Sequence, residues 1–115
     1  MAYIYIHHTG CGTSRKGLAL LQENGVEPEI RKYMNKSEQL SVDELKDIAK
    51  KMGASSPREF LRTKNAKQNG LPDDIDGEDL YQAMAEDPSI IQRPIGINGK
   101  KAVLGRPHDK LLEII

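Results

Sequence analysis

The chain has 115 residues, 37% apolar and 30% charged, which is the composition of a single globular domain with a modest core rather than of a disordered segment. Seventeen Lys and Arg balance seventeen Asp and Glu, so no global field draws in nucleic acid or membrane, and any anion preference has to be built locally. One cysteine excludes an internal disulfide framework, and neither a signal peptide nor a membrane-length apolar run is visible, so the expectation is a cytoplasmic, monomeric protein.

In chain order, Tyr3 to Ile6 is a short β-branched and aromatic run that reads as a strand. A glycine-rich turn around Gly10-Cys11-Gly12 follows. From Ser14 onward, Leu18 to Leu21 supply the apolar face of a first helix, closed by Asn24-Gly25 and by Pro28 beyond it. Glu29 to Met34, alternating weakly around Ile30 and Tyr33, reads as a second strand, parallel to the first. Ser41-Val42-Asp43-Glu44 is a capping box, followed by Leu45, Ile48, Ala49 and Met52 at helical spacing and closed by Gly53. Ser56-Pro57-Arg58-Glu59 signals another helix start, with Phe60-Leu61 as its apolar anchor. The polar run from Asn65 to Asp74, with Gly70 and Pro72, reads as a surface loop. Asp76 caps a further helix carrying Leu80, Ala83 and Met84, and Asp87-Pro88 ends it. Ile95-Gly96-Ile97 and Ala102-Val103-Leu104 flank Asn98-Gly99, the preferred pair for a type I′ hairpin. Arg106-Pro107 opens a last helix, with Leu111, Leu112 and Ile115 on its apolar side. With the middle helices set aside, β-α-β followed by β-β-α is the thioredoxin topology. The predicted fold is α/β, one thioredoxin-like domain over residues 1–115 with a helical insertion at about 41–88.

The chemistry centres on Cys11. A lone cysteine is often a small buried hydrophobe, but a Gly-rich turn flanked by Thr13, Ser14 and Arg15 has the wrong neighbours for a core. At the start of a helix, Cys11 sits before unpaired N–H groups at the positive end of the dipole. That setting favours the nucleophilic thiolate and is a place where an oxyanion binds. Three arginines are candidates for holding such an anion: Arg62, Arg93 before Pro94, and Arg106 before Pro107. A guanidinium keeps its charge and donates two parallel hydrogen bonds to an oxyanion. Arginines in loops commonly just face water, so this assignment needs support from elsewhere. Three histidines and one cysteine lack ligand spacing on any one element, so no metal site is expected.

Taken together, His7 to Lys16 with Gly10-Cys11-Gly12-Thr13-Ser14-Arg15, Leu61-Arg62, Arg93-Pro94-Ile95 and Arg106-Pro107 resemble the glutaredoxin-coupled arsenate reductases of the thioredoxin-fold ArsC type. The resemblance spans essentially the whole chain in order. It implies Cys11 as the nucleophile toward arsenate and Arg62, Arg93 and Arg106 as the oxyanion-binding residues. It further implies supporting positions at His7, Gly12, Thr13, Ser14, Arg15 and Pro94, with a cis Arg93–Pro94 bond. Glutathione is implied as co-substrate and a glutaredoxin as partner, with no bound cofactor. His7 matches the histidine that such proteins carry shortly before the cysteine; both His7 and His8 also fit as strand-end residues without a role, and His108 reads as a surface residue. Relatives often carry Asn-Pro where this chain has His8-Thr9-Gly10, which changes the wall of the anion site.

Two other readings share these residues. Spx-like transcription regulators, which bind RNA polymerase, belong to the same superfamily as those reductases, but their Cys-x-x-Cys switch would need a cysteine where Ser14 stands. A monothiol glutathione-dependent oxidoreductase with another substrate requires only Cys11 and a glutathione site. A cysteine phosphatase needs arginine six positions after the cysteine, and Gly17 occupies that place.

Overall fold

The computed structural model describes residues 2–115. Four strands, β1 (Tyr3–Ile6), β2 (Glu29–Arg31), β3 (Ile95–Asn98) and β4 (Lys101–Leu104), form one sheet in the order β2-β1-β3-β4. β1 and β2 are parallel, whereas β1–β3 and β3–β4 are antiparallel. Helix α1 (Gly12–Glu23) connects the parallel pair, as a crossover must. This is the thioredoxin-like arrangement read from the sequence. Between the halves lie α2 (Val42–Met52), α3 (Thr63–Gln68) and α4 (Gly77–Glu86), with short 3₁₀ turns before α2, between α2 and α3, and after α4.

β1 shows how the sequence divides the molecule. Its Tyr-Ile-Tyr-Ile pattern sends alternate side chains to opposite faces. Tyr3 and Tyr5 pack with Leu21 and Leu111 on the α1 side. Ile6 joins Tyr33, Leu45, Ile48, Phe60, Leu80, Met84, Ile90, Ile91 and Ile95 on the insertion side. The α1 core is small and tied by hydrogen bonds: Tyr3 Oη donates to the Leu111 carbonyl at 2.8 Å and Tyr5 Oη to the Ser14 carbonyl at 2.6 Å. The buried stripe of α1 is Ser14, Gly17 and Leu21. A Cβ on Gly17 would overlap the Tyr5 hydroxyl and come within 2.7 Å of Leu111, so glycine lets the helix settle onto the sheet.

The capping box on α2 forms as expected: Ser41 Oγ accepts from the Glu44 N–H and Glu44 returns to the Ser41 N–H, both at 3.1 Å. Gly53 ends the helix in the left-handed region at φ +74°. Asp76 caps α4 through the Gly77 N–H.

Five expectations need correction. The polar run from residue 65 is helical at its start, because Ala66 and Leu71 anchor α3 to the core despite its polar exterior. The element opened by Ser56-Pro57 is a single 3₁₀ turn, Pro57–Phe60, after which Leu61 turns extended and bridges Ile91. β2 stops at Arg31: Ile30 is 39% exposed, and Tyr33 is buried beyond the strand end. The last helix is a 3₁₀ segment, His108–Ile114. In the hairpin, Asn98 pairs with Lys101, so the loop residues are Gly99 and Lys100. Only Gly99 has positive φ (+63°), the signature of a type II′ rather than a type I′ turn.

Candidate active site

Cys11 is the N-cap of α1, in extended conformation, with its side chain partly exposed. The turn before it is closed by a bond from the Cys11 N–H to the His8 carbonyl at 3.0 Å. Arg15 fastens the same turn from outside, its Nη1 donating to the Thr9 carbonyl at 2.8 Å. Gly12 is the first helical residue, and the N–H groups of Ser14 and Thr13 turn toward the sulfur.

The three arginines converge on this point from distant parts of the chain. Arg106 Nη2 lies 3.7 Å from Cys11 Sγ, while its Nε donates to the Arg93 carbonyl at 2.8 Å. Arg93 is 9% exposed, precedes a cis proline, and donates through Nη1 to the Ser89 carbonyl. Arg62 caps α3, with Nε on Asn65 Oδ1 at 3.1 Å. Burial and the charges of Arg93 and Arg106 hold the Arg62 guanidinium below its ordinary pKa, as expected for crowded cations. Arg62, Thr63, Lys64, Gln92 and Arg106 line an open depression of about 160 Å³.

The backbone explains how the arginines arrive. The segments around Leu61 and Ile91 run side by side: the Arg62 N–H donates to the Ile90 carbonyl at 2.7 Å and the Gln92 N–H to the Phe60 carbonyl at 2.8 Å. Leu61 and Ile91 on this bridge are buried. Arg62 follows Leu61 directly and so faces the opposite way, whereas Arg93 lies two residues past Ile91, just before the cis bond to Pro94. The Gly105 N–H donates to the Pro94 carbonyl at 2.9 Å, bringing Arg106 beside Arg93. Arg106–Pro107 is a second cis bond, alongside the expected Arg93–Pro94.

Electrostatics at the sulfur are a contest. Burial pushes the Cys11 thiol up, but the Ser14 N–H, the Arg93 guanidinium and the Thr13 N–H together outweigh it, and the net pKa falls below the ordinary thiol value. Thiolate character therefore arises from the helix start and a neighbouring cation, as the sequence implied.

His7 is bonded to Ser14, not to the sulfur. It is 4% exposed, with Nδ1 2.7 Å from Ser14 Oγ, and burial holds its pKa down. Ser14 Oγ also accepts the His8 N–H at 3.1 Å. The pair is a buried brace between β1 and α1. Pro94 packs under the site, its ring close to Gly17 and Gly105. His108 lies outside this cluster, at the start of the C-terminal 3₁₀ segment.

One neighbour escaped the sequence reading. Tyr33 is fully buried and donates to the Ile91 carbonyl at 3.2 Å. Burial raises its phenol pKa against the pull of Arg93 and Arg62, which places the ring among the arginines. Its only sequence signal was its place as an aromatic in the weakly alternating run Glu29 to Met34.

Fold and site define a thioredoxin-like protein with one activated thiol facing a cluster of arginines. Comparison with known proteins gives the same class. The ArsC family model matches residues 6–114. An arsenate reductase of Haemophilus influenzae is 42% identical, with all of both chains covered. The structure of an arsenate reductase from Vibrio cholerae is similar at a TM-score of 0.89 and 34% identity, covering 100% of this chain and 98% of that one. A more distant relative, the global transcriptional regulator Spx of Staphylococcus aureus, is 32% identical over 88% of this chain and 77% of its own. This chain belongs to the ArsC family.

Proposed function

We propose that the protein is an arsenate reductase in which Cys11 is the nucleophile and Arg62, Arg93 and Arg106 bind the oxyanion. The observation that carries this reading is the approach of Arg106 to within 3.7 Å of Cys11 Sγ at a helix start, with Arg93 and Arg62 beside it. An anionic sulfur meets an anionic substrate here, and the pair can approach only where fixed cations neutralise both. Three guanidiniums and two main-chain N–H groups supply that field without moving.

In the first step the thiolate forms an S–As bond and a hydroxyl leaves arsenic as water after taking up a proton. Glutathione thiolate then attacks the Cys11 sulfur. An S–S bond forms, the S–As bond breaks, and arsenic keeps the electron pair, so As(V) leaves as arsenite. A glutaredoxin resolves the resulting mixed disulfide by thiol–disulfide exchange. Cys11 is the only thiol in the chain, so both reducing equivalents come from other molecules.

An Spx-like regulatory role is supported less well. Ser14 occupies the position of the second switch cysteine, and its hydroxyl is committed to His7 and His8. The deciding experiment is arsenate-dependent NADPH oxidation, coupled through glutathione reductase, glutathione and a glutaredoxin. Turnover by the wild type that is lost in Cys11→Ser is the expected result. Absence of wild-type turnover with rapid alkylation of Cys11 would instead mark a live thiol with another substrate.

A further inference from the structure

The first step needs a proton at the departing oxygen, because hydroxide leaves poorly from a centre that already carries negative charge. The groups around Cys11 differ in whether they can provide one. The guanidiniums keep their protons at any working pH. His7 is buried and engaged with Ser14 Oγ. Tyr33 is buried, with its hydroxyl given to the Ile91 carbonyl. Each of these groups is either unable to release a proton or closed off from the site.

His8 differs on every count. Its main chain is fixed at two points: the N–H donates to Ser14 Oγ at 3.1 Å, and the carbonyl accepts the Cys11 N–H at 3.0 Å. Its imidazole is partly exposed. Among the described residues, none hydrogen-bonds the ring. A Cβ built on Gly10, the residue immediately before Cys11, would lie 3.3 Å from both Cε1 and Nε2. The ring therefore covers Gly10 at the mouth of the site. We infer that His8 is the proton donor to the oxygen that leaves the oxyanion when Cys11 attacks, an assignment that rests on the reductase reading above. The balance is simple: the imidazolium N–H breaks, the departing As–OH becomes water, and neutral imidazole remains to be reprotonated from solvent.

The charges that face His8 explain why it is ready only when substrate is bound. Burial, Arg93 and Arg62 all lower its pKa. His7, the residue before it just past β1, likewise has its pKa held down by burial, and Cys11 lies across the turn. No carboxylate is among the groups that shift it. In the free protein His8 is thus a neutral imidazole near neutral pH. An oxyanion that settles among the arginines cancels their charge and reverses the field on the ring, so binding of the anion and uptake of a proton by His8 reinforce each other.

Two measurements test this. The first is kcat/KM for arsenate in His8→Asn and His8→Ala. The expected result is a fall of roughly 100-fold, the ordinary reach of a general acid, with partial recovery of His8→Ala by added imidazole. The second is an NMR titration of the His8 ring in Cys11→Ser, without and with inorganic phosphate as an unreactive oxyanion; its pKa is expected to rise when phosphate is present. A kcat/KM for His8→Asn within about twofold of wild type, or a His8 pKa that phosphate leaves unmoved, overturns the assignment. The titration needs no turnover. If wild type fails to reduce arsenate, the reductase reading and the assignment as donor to arsenate both fall, while a pKa rise would still establish the proton–oxyanion coupling at His8.

Discussion

The two faces of the sheet build the site by different means. On the α1 face, four buried apolar residues, Tyr3, Tyr5, Leu21 and Leu111, share the work with polar ties. Tyr5 Oη, His7 Nδ1 and the His8 N–H all converge on Ser14, one turn after Cys11. On the insertion face, a much larger apolar cluster runs from Ile6 through Tyr33, Phe60 and Met84 to Ile91 and Ile95. That cluster carries the Leu61–Ile91 bridge, with Arg62 directly after Leu61 and Arg93 two residues past Ile91. The sulfur is aimed by short-range hydrogen bonds, and two of the cations are aimed by long-range packing. Perturbing one face should therefore leave a different signature from perturbing the other.

The largest expected effect on stability is at Phe60, which is fully buried beside the bridge. Phe60→Ala should cost about 3–5 kcal/mol in urea unfolding, and the folded fraction should lose activity as well, because Arg62 follows two residues later. Retained arsenate turnover in that variant would separate the cluster from the arginines.

Arg106→Gln should give the opposite signature. If Arg106 holds the oxyanion as proposed, its loss should lower kcat roughly 10²- to 10³-fold, whereas the urea midpoint should barely move because the side chain is half-exposed. A matching loss of stability would mean that Arg106, through its bond to the Arg93 carbonyl, is a structural strut.

Ser14→Ala probes the polar face. It strands His7 Nδ1 and the His8 N–H in a buried setting, at about 1–3 kcal/mol. The Ser14 main-chain N–H that turns toward the sulfur is retained, so alkylation of Cys11 should change less than stability does. Arg93→Gln does the reverse: it removes a cation that lowers the thiol pKa. The pH midpoint for iodoacetamide alkylation should shift upward, and an unchanged midpoint would assign the thiolate to the helix start alone.

The smallest effect is on the pH dependence of stability. The folded pKa of His7 is held below 6.5 by burial, so the unfolded chain binds more protons between that folded pKa and 6.5. Stability should fall as pH drops through this window, at under ~1.4 kcal/mol per pH unit for one site. In His7→Gln that slope should flatten, as read from urea midpoints between neutral and mildly acidic pH.

Much of the molecule was legible in the sequence because its signals are local. The Ser41–Glu44 capping box, the glycine that ends α2, the alternation of β1 and the Gly-Cys-Gly turn each act within a few residues, and the helix start beside Cys11 needs only its own backbone. Composition and the single cysteine likewise determined that any disulfide chemistry has to involve a second molecule. The rest was decided by tertiary structure. Polar Thr63–Gln68 is helical because Ala66 reaches a core supplied by other elements. Ser14 and Gly17, the least apolar residues of the α1 stripe, are buried along with Leu21, because Tyr5 and the 3₁₀ segment at the C-terminus pack against this face. Tyr33 joins the arginines from a distant part of the chain, its hydroxyl bonded to the Ile91 carbonyl fifty-eight positions away. Arg106 reaches Cys11 across ninety-five. A chain can state which residues favour a turn or a cap, but contacts at such separations depend on how the packed layers meet, and no local propensity encodes that.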